Sequence, residues 1–246
     1  MTVMADAMRE REGAREADGW WEGRAYASLR AVNALRLQIL DDWLSHWFAG
    51  AGPRRIVDLG CGGGLMALPL ARRGAHVVAV DRNLPALREG VRQQHALRAP
   101  ARGGVQFVHG DLLAPPIDAG SADLVLLCDV LEHVDEPAQA ICAAARLLRP
   151  GGRLFVNTIN RTLRARVLAV WLGEGLGLIP RGTHSADRFV RPDELKTMAH
   201  AADLRATDWC GERPALLASL RRRTVAVRPH ASLAVGYSAG FTKEER

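Results

Sequence analysis

None of the four cysteines, Cys61, Cys128, Cys142 and Cys210, stands in a C-x-x-C pair, which leaves them as reduced thiols of a cytosolic protein and excludes a disulfide framework. Long apolar runs are also missing. Nothing approaches the ~20 residues a membrane-spanning helix requires, and Met1 to Asp18 alternates charges without the apolar core of a signal peptide, so residues 1–18 read as a frayed tail. Internal repeats and low-complexity tracts are absent, which excludes a repeat array. Lysine is scarce, so the formal net charge of +6 and the pI of about 9.7 are carried almost wholly by arginine. Such a balance favours anionic partners, and by itself leaves nucleic acid, anionic lipid and an anionic cofactor open.

What is present is enough for one substantial core. With 246 residues, 48% hydrophobic and 24% charged, the chain is expected to form a single domain over 19–246. From Arg54 onward, short apolar runs alternate with longer amphipathic ones. Strands are predicted near Ile56–Leu59, His76–Val80, Val105–His109, Leu124–Cys128 and Arg153–Thr158, and helices near Leu65–Arg73, Pro85–Arg98 and Pro137–Leu148. This alternation specifies an α/β fold, a parallel Rossmann-like sheet with helices on both faces. An N-terminal helix over Tyr26–Phe48 precedes it. A further helix over Pro192–Ala202 and two late strands near Arg205–Trp209 and Leu233–Ser238 complete a seven-stranded sheet. Pro69 removes an interior helical hydrogen bond if its helix begins at Gly64, but falls in the first turn if the helix begins two residues later, which is the expected start.

The stretch DLGCGGG, Asp58 to Gly64, lies at the junction of the first strand and its helix. Glycines there let backbone N–H groups come close to a ligand, with a helix N-terminus behind them. Gly62, Gly64 and Ala67 also satisfy a dinucleotide fingerprint, so the loop alone does not choose between NAD and other nucleosides. Three carboxylates narrow the choice, although the second is a device that both ligand classes use. Asp58 ends the first strand, where it can face an ammonium and a sulfonium but repels a pyrophosphate. Asp81 ends the second strand, where a carboxylate can hold ribose hydroxyls. Asp111, with Leu112 beside it, follows the third strand and is placed to read an adenine edge. The cofactor expected is S-adenosylmethionine.

The set DLGCGGG, VAVD, GDLL, LEHV and LRPGG resembles the class I S-adenosylmethionine-dependent methyltransferases. Trp20-Trp21, VNALR at 32–36, TINR at 158–161, IPRGTH at 179–184 and RFVRPDEL at 188–195 are similar to the ubiquinone-biosynthesis O-methyltransferases, and this similarity runs from Trp20 to about Asp208. The resemblance implies that Arg36, Gly60, Asp81 and Cys128 contact the cofactor, together with Asp58, Gly62, Gly64, Asp111 and Leu112 from the reading above. Arg36 would pair with the cofactor's α-carboxylate. It also implies catalytic roles for Glu132 and His133, and a divalent cation, magnesium or zinc, bound by Asp129, Glu132 and His133. The family's quinone branch carries E-x-x-E-H where this chain has D-x-x-E-H, and Asp reaches one methylene less far. LEHV also occurs in metal-free methyltransferases, where the histidine acts as a base or shapes the pocket.

The segment 160–191 mixes apolar residues (Leu163, Val167, Leu168, Val170, Trp171) with Arg161, Arg164 and Arg166. It reads as a lid, as a peripheral contact with an anionic membrane at its inner face, or as a core helix with surface arginines. The expected partner is a small aromatic acceptor, lipid-tailed if the resemblance holds for substrate, with no nucleic acid. The expected activity is O-methylation of a phenolic or catechol hydroxyl of a polyprenylated ubiquinone precursor, the alternative being a soluble hydroxyaromatic of secondary metabolism.

Overall fold

The computed structural model describes residues 20–23, 26–49, 52, 54–97, 103–168, 186–215, 218–219, 221 and 224–245. The expected tail at 1–18 and most of the expected lid or membrane segment, 169–185, lie outside them.

Helix α1 (Ala27–Trp47) leads into β1 (Arg55–Leu59), α2 (Ala67–Arg72), β2 (His76–Asp81), α3 (Leu84–Ala96), β3 (Gly104–His109) and β4 (Ala122–Cys128). A 3-10 turn over Leu131–His133, α4 (Pro137–Leu147), β5 (Leu148–Ile159), the short α5 (Leu163–Arg166) and α6 (Pro192–Ala201) follow. The chain ends in β6 (Leu204–Pro214), β7 (Val227–His230) and β8 (Gly236–Lys243). The sheet order is β3-β2-β1-β4-β5-β8-β6-β7. The first five strands are parallel, and β8 runs antiparallel between β5 and β6.

Strands β1 and β4 read as nearly unbroken apolar runs because they are covered on both faces. One layer, containing Leu59, Val80, Ile141, Leu147, Leu195 and Phe241, packs under α4 and α6. The other, containing Leu40, Trp43, Met66, Leu70 and Phe155, packs under α1 and α2. Helix α1 buries Leu35, Ile39, Leu40, Trp43 and Trp47, and Trp43 meets Phe155 edge-on at 5.5 Å between ring centres. Helix α2 begins at Ala67, so Pro69 falls in its first turn as expected.

Two strand expectations are corrected. The sheet has eight strands rather than seven, because β7 pairs with the far end of β6 from Gly211 to Pro214. Its sequence, VRPH, shows no alternation, and its Pro229 is tolerated because β7 is an edge strand. The last strand also begins at Gly236, later than Leu233.

The order reverses between β1 and β4: from β1 the chain moves to β2 on one side, and β4 lies on the other. In an open α/β sheet, the carboxyl ends of the strands flanking such a reversal border the ligand crevice. The loop from Gly60 and the turn from Cys128 therefore face each other across it.

Candidate active site

The loop after β1 is bare because every side of it is taken. A Cβ on Gly60 would lie 2.6 Å from Val130 Cγ2, one on Gly62 2.5 Å from the Trp20 ring, and one on Gly64 2.9 Å from the Phe107 ring. All three glycines have positive φ, at 75°, 51° and 78°. Trp20 lies along Gly62 and Gly63 and stacks on Tyr26 with ring centres 4.3 Å apart, while Trp21 Nε1 donates to the Gly63 carbonyl at 2.8 Å. Arg30 donates to the carbonyls of Trp20 and Gly23 and so ties this N-terminal strap to α1. The glycines thus admit a tryptophan from outside as well as a ligand from within.

Asp81 fixes the loop from β2. Its Oδ2 accepts from the Gly62 N–H and its Oδ1 from the Asn83 N–H, both at 2.7 Å. It remains half-buried, with lone pairs left for hydroxyl donors. Asp58 is only 2% exposed, and its Oδ2 has no hydrogen-bond partner. Burial, reinforced by Asp81 and opposed by the Ala67 N–H, pushes its pKa up to about 7. A buried carboxyl with an idle oxygen is a site for a cation. Asp111 is exposed and accepts from the Leu113 N–H at 2.9 Å, which shapes its own turn, and Leu112 is buried beneath.

Arg36, on the inward face of α1, is buried between two carboxylates. Its Nη1 and Nη2 form a forked pair with Asp129, and its Nε lies 3.8 Å from Glu212 Oε1. Burial lowers the guanidinium pKa, but Asp129 and Glu212 reverse this and hold it above the ordinary arginine value. Glu212, on β6, also accepts from Asn157 Nδ2 and from Ser238 Oγ, the latter at 3.0 Å. Cys128 sits among these groups: burial and then Asp58 push its thiol pKa up, while Arg36 pulls it down. Glu132 is buried, with Oε2 accepting from Thr158 Oγ1 at 2.8 Å and Oε1 unpartnered. Burial and Asp129 raise its pKa, and His133 opposes them. His133 itself is exposed.

Asp129, Glu132 and His133, expected to share a cation, do not converge on one. Asp129 pairs with Arg36, Glu132 turns inward to Thr158, and His133 faces outward. Among the described residues there is no cluster of three His, Cys, Asp or Glu side chains able to hold a metal. An open cleft of about 700 Å³ begins one residue past His133, lined by Val134, Asp135, Arg161, Phe189, Val190 and Met198 among others. It adjoins the acids rather than containing them. The strap residues Trp20 and Trp21 enter the sequence reading only through a resemblance, and Glu212 not at all, since it lies beyond the strand expected at Arg205–Trp209.

Residues 57–156 match the model of a methyltransferase domain. The chain is 35% identical over 213 residues to the ubiquinone biosynthesis O-methyltransferase of Aromatoleum aromaticum, covering 86% of this chain and 88% of that one. It is 39% identical over 190 residues to the protein of the same name from Ralstonia nicotianae, covering 76% of each. Among solved structures, magnesium protoporphyrin IX methyltransferase of Synechocystis with bound S-adenosylhomocysteine superposes with a TM-score of 0.66 at 18% identity, covering 99% of both chains, and shares the fold. With a buried acid-lined cradle at the sheet's reversal point and relatives this similar over most of their length, the chain belongs to the ubiquinone biosynthesis O-methyltransferase family and is an S-adenosylmethionine-dependent O-methyltransferase.

Proposed function

We propose that the protein methylates a phenolic hydroxyl of a polyprenylated catechol on the way to ubiquinone. The observation that carries the reading is Asp58: a buried carboxyl with an unpartnered oxygen, set between the glycine loop and Cys128. A sulfonium-bearing, ammonium-bearing ligand satisfies it and a dinucleotide pyrophosphate does not. The acceptor class comes from the relatives' names.

When bound, S-adenosylmethionine would supply a methyl group on cationic sulfur to an oxygen lone pair, with a neutral thioether as the leaving group. Asp81 holds the ribose hydroxyls, Asp58 faces the ammonium, and Arg36 takes the α-carboxylate by a forked pair. Gly60, Gly62, Gly64, Cys128 and Leu112 wall the cradle, and Asp111 stands at its outer end. Glu132 accepts the phenol proton through its free Oε1, and burial with Asp129 beside it strengthens its hold on that proton. His133, exposed beside it, passes the proton to solvent. The cleft from Val134 to Met198 gives the acceptor its entrance. No step is assigned to magnesium or zinc, because Glu132 turns inward to Thr158 while His133 faces outward.

We further assign 19–246 to one domain, with 160–191 resting on an anionic bilayer that keeps a lipid-tailed acceptor within reach. Leu163, 77% exposed beside Arg164 and Arg166, supports this reading. Arg161 is engaged by Glu194 and contributes less.

The test is methyl transfer to a panel of short-chain prenyl catechols, simple catechols and non-prenylated phenols, with products read by mass spectrometry, with and without excess chelator. Prenyl catechols are expected to be the best acceptors, with turnover unchanged by the chelator. Preference for a non-prenylated phenol would redirect the reading to a soluble hydroxyaromatic. Loss of turnover in chelator, restored by magnesium or zinc, would overturn the metal-free assignment.

A further inference from the structure

We infer that Asp129 is a built-in stand-in for the cofactor's α-carboxylate: it holds the forked edge of Arg36 and is displaced when the cofactor binds. The inference rests on the reading that Arg36 takes that carboxylate.

The two carboxylates flanking Arg36 are not equivalent. Glu212 is fixed: its side chain is 5% exposed, it stands on a strand between Asn157 and Ser238, and it addresses the Nε side of the guanidinium. Asp129 is exchangeable: its side chain is 24% exposed, it lies in the turn after β4, and it addresses the Nη1 and Nη2 edge. That edge is the one a free carboxylate engages, because its two N–H donors lie parallel and match the spacing of two carboxylate oxygens. Asp129 holds its place with a φ of 53°, a left-handed backbone that aspartate tolerates better than most residues. Its own N–H is anchored to the Asn157 carbonyl at 3.1 Å, so the side chain can turn away while the backbone stays.

A buried guanidinium left unpaired is costly, and a carboxylate on this edge offsets that cost. Glu212 at 3.8 Å supplies charge without a hydrogen bond, and Nε has no hydrogen-bond partner. Asp129 therefore keeps Arg36 paired, and the cofactor replaces one carboxylate by another. The exchange weakens cofactor binding by the strength of the internal pair. It also frees the Asp129 carboxylate at the very turn that carries Glu132 and His133, so the acceptor side of the site is rearranged only after the cofactor has entered.

The test is calorimetric titration with S-adenosylhomocysteine, which carries the α-carboxylate, and with 5′-methylthioadenosine, which lacks it. Asp129→Asn is expected to bind S-adenosylhomocysteine about tenfold tighter, the ratio that 1.4 kcal/mol of relieved competition gives, with methylthioadenosine unchanged. Asp129→Gly, which accepts the positive φ and removes the carboxylate altogether, is expected to behave alike and serves if Asp129→Asn folds poorly. Arg36→Ala should weaken S-adenosylhomocysteine and leave methylthioadenosine nearly as it was. If Arg36→Ala leaves both ligands unaffected, the underlying assignment of Arg36 is wrong. If Arg36→Ala weakens S-adenosylhomocysteine but both Asp129 variants bind it equally or more weakly than the parent, Arg36 keeps its role and the stand-in is refuted. Parallel changes in both ligands would reduce Asp129 to a structural residue and refute it as well.

Discussion

Asp58 carries a proton at a pH where an exposed aspartate has long lost one. Burial raises its pKa from 3.8 to about 7, with Asp81 adding repulsion. The sign follows directly. The folded state binds the proton more tightly than the unfolded chain, so stability is greatest below about pH 4, declines as pH rises, and has lost its full share above about pH 7, at most ~4 kcal/mol at 1.36 kcal/mol per unit. A cationic ligand beside Asp58 reverses the shift, so binding below pH 7 expels the proton. Calorimetric titration with S-adenosylhomocysteine at about pH 6.5 in buffers of different ionisation enthalpy is expected to show proton release, absent in Asp58→Asn. In urea unfolding, the parent should lose more stability between acid and neutral pH than this variant. A binding enthalpy independent of buffer would remove Asp58 from the ligand. Residues of this kind are legible in the sequence because their place is local: Asp58 and Asp81 each end a β-branched run. Glu212 is not, because its meaning lies in Arg36, Asn157 and Ser238, which come from α1, β5 and β8 and meet only in the fold.

At the scale of elements, the strap and the glycine loop act as one piece. Gly62 combines a left-handed backbone with the Trp20 ring against its Cα. Gly62→Ala is expected to cost about 2–4 kcal/mol in urea unfolding, of which about 1–2 is backbone conformation and the rest is the clash. In a Trp20→Ala background only the backbone part should remain, giving a coupling of about 1–2 kcal/mol between the two sites. Strictly additive effects would show that Trp20 does not rest on the loop. The parallel half of the sheet is readable because short β-branched runs alternate with amphipathic helical ones, and β1 and β4 are buried on both faces. The sequence pattern puts the start of β8 too early because this central strand is written largely in small and polar residues, GYSAGFTK. Gly240 is required there since a Cβ would lie 2.4 Å from Trp47, and Ser238 serves Glu212, so packing partners from elsewhere make the strand look like a loop.

Over the whole molecule, charge is divided by place. The chain carries +6, yet its buried site gathers Asp58, Glu132 and Glu212, with Asp129 at its edge, around Arg36, the one arginine buried among the described residues. The inside suits a cationic cofactor and the outside suits anionic surfaces. The protein is accordingly expected to sediment with phosphatidylglycerol vesicles at low salt and to be released at high salt, each participating arginine contributing on the order of 1 kcal/mol. Arg164 and Arg166 changed to Glu should weaken this more than reversal of Arg221-Arg222-Arg223 does. Equal sedimentation of the Arg164/Arg166 variant and the parent would leave 160–191 as a lid or core element. The central claim concerns the bond that is made. Incubation with trideuteromethyl S-adenosylmethionine and a short-chain prenyl catechol, followed by mass spectrometric fragmentation, is predicted to place the label on a ring oxygen, with Asp81→Ala abolishing most of the transfer. Label on ring carbon, or no transfer to any catechol by protein that binds S-adenosylhomocysteine, would contradict it.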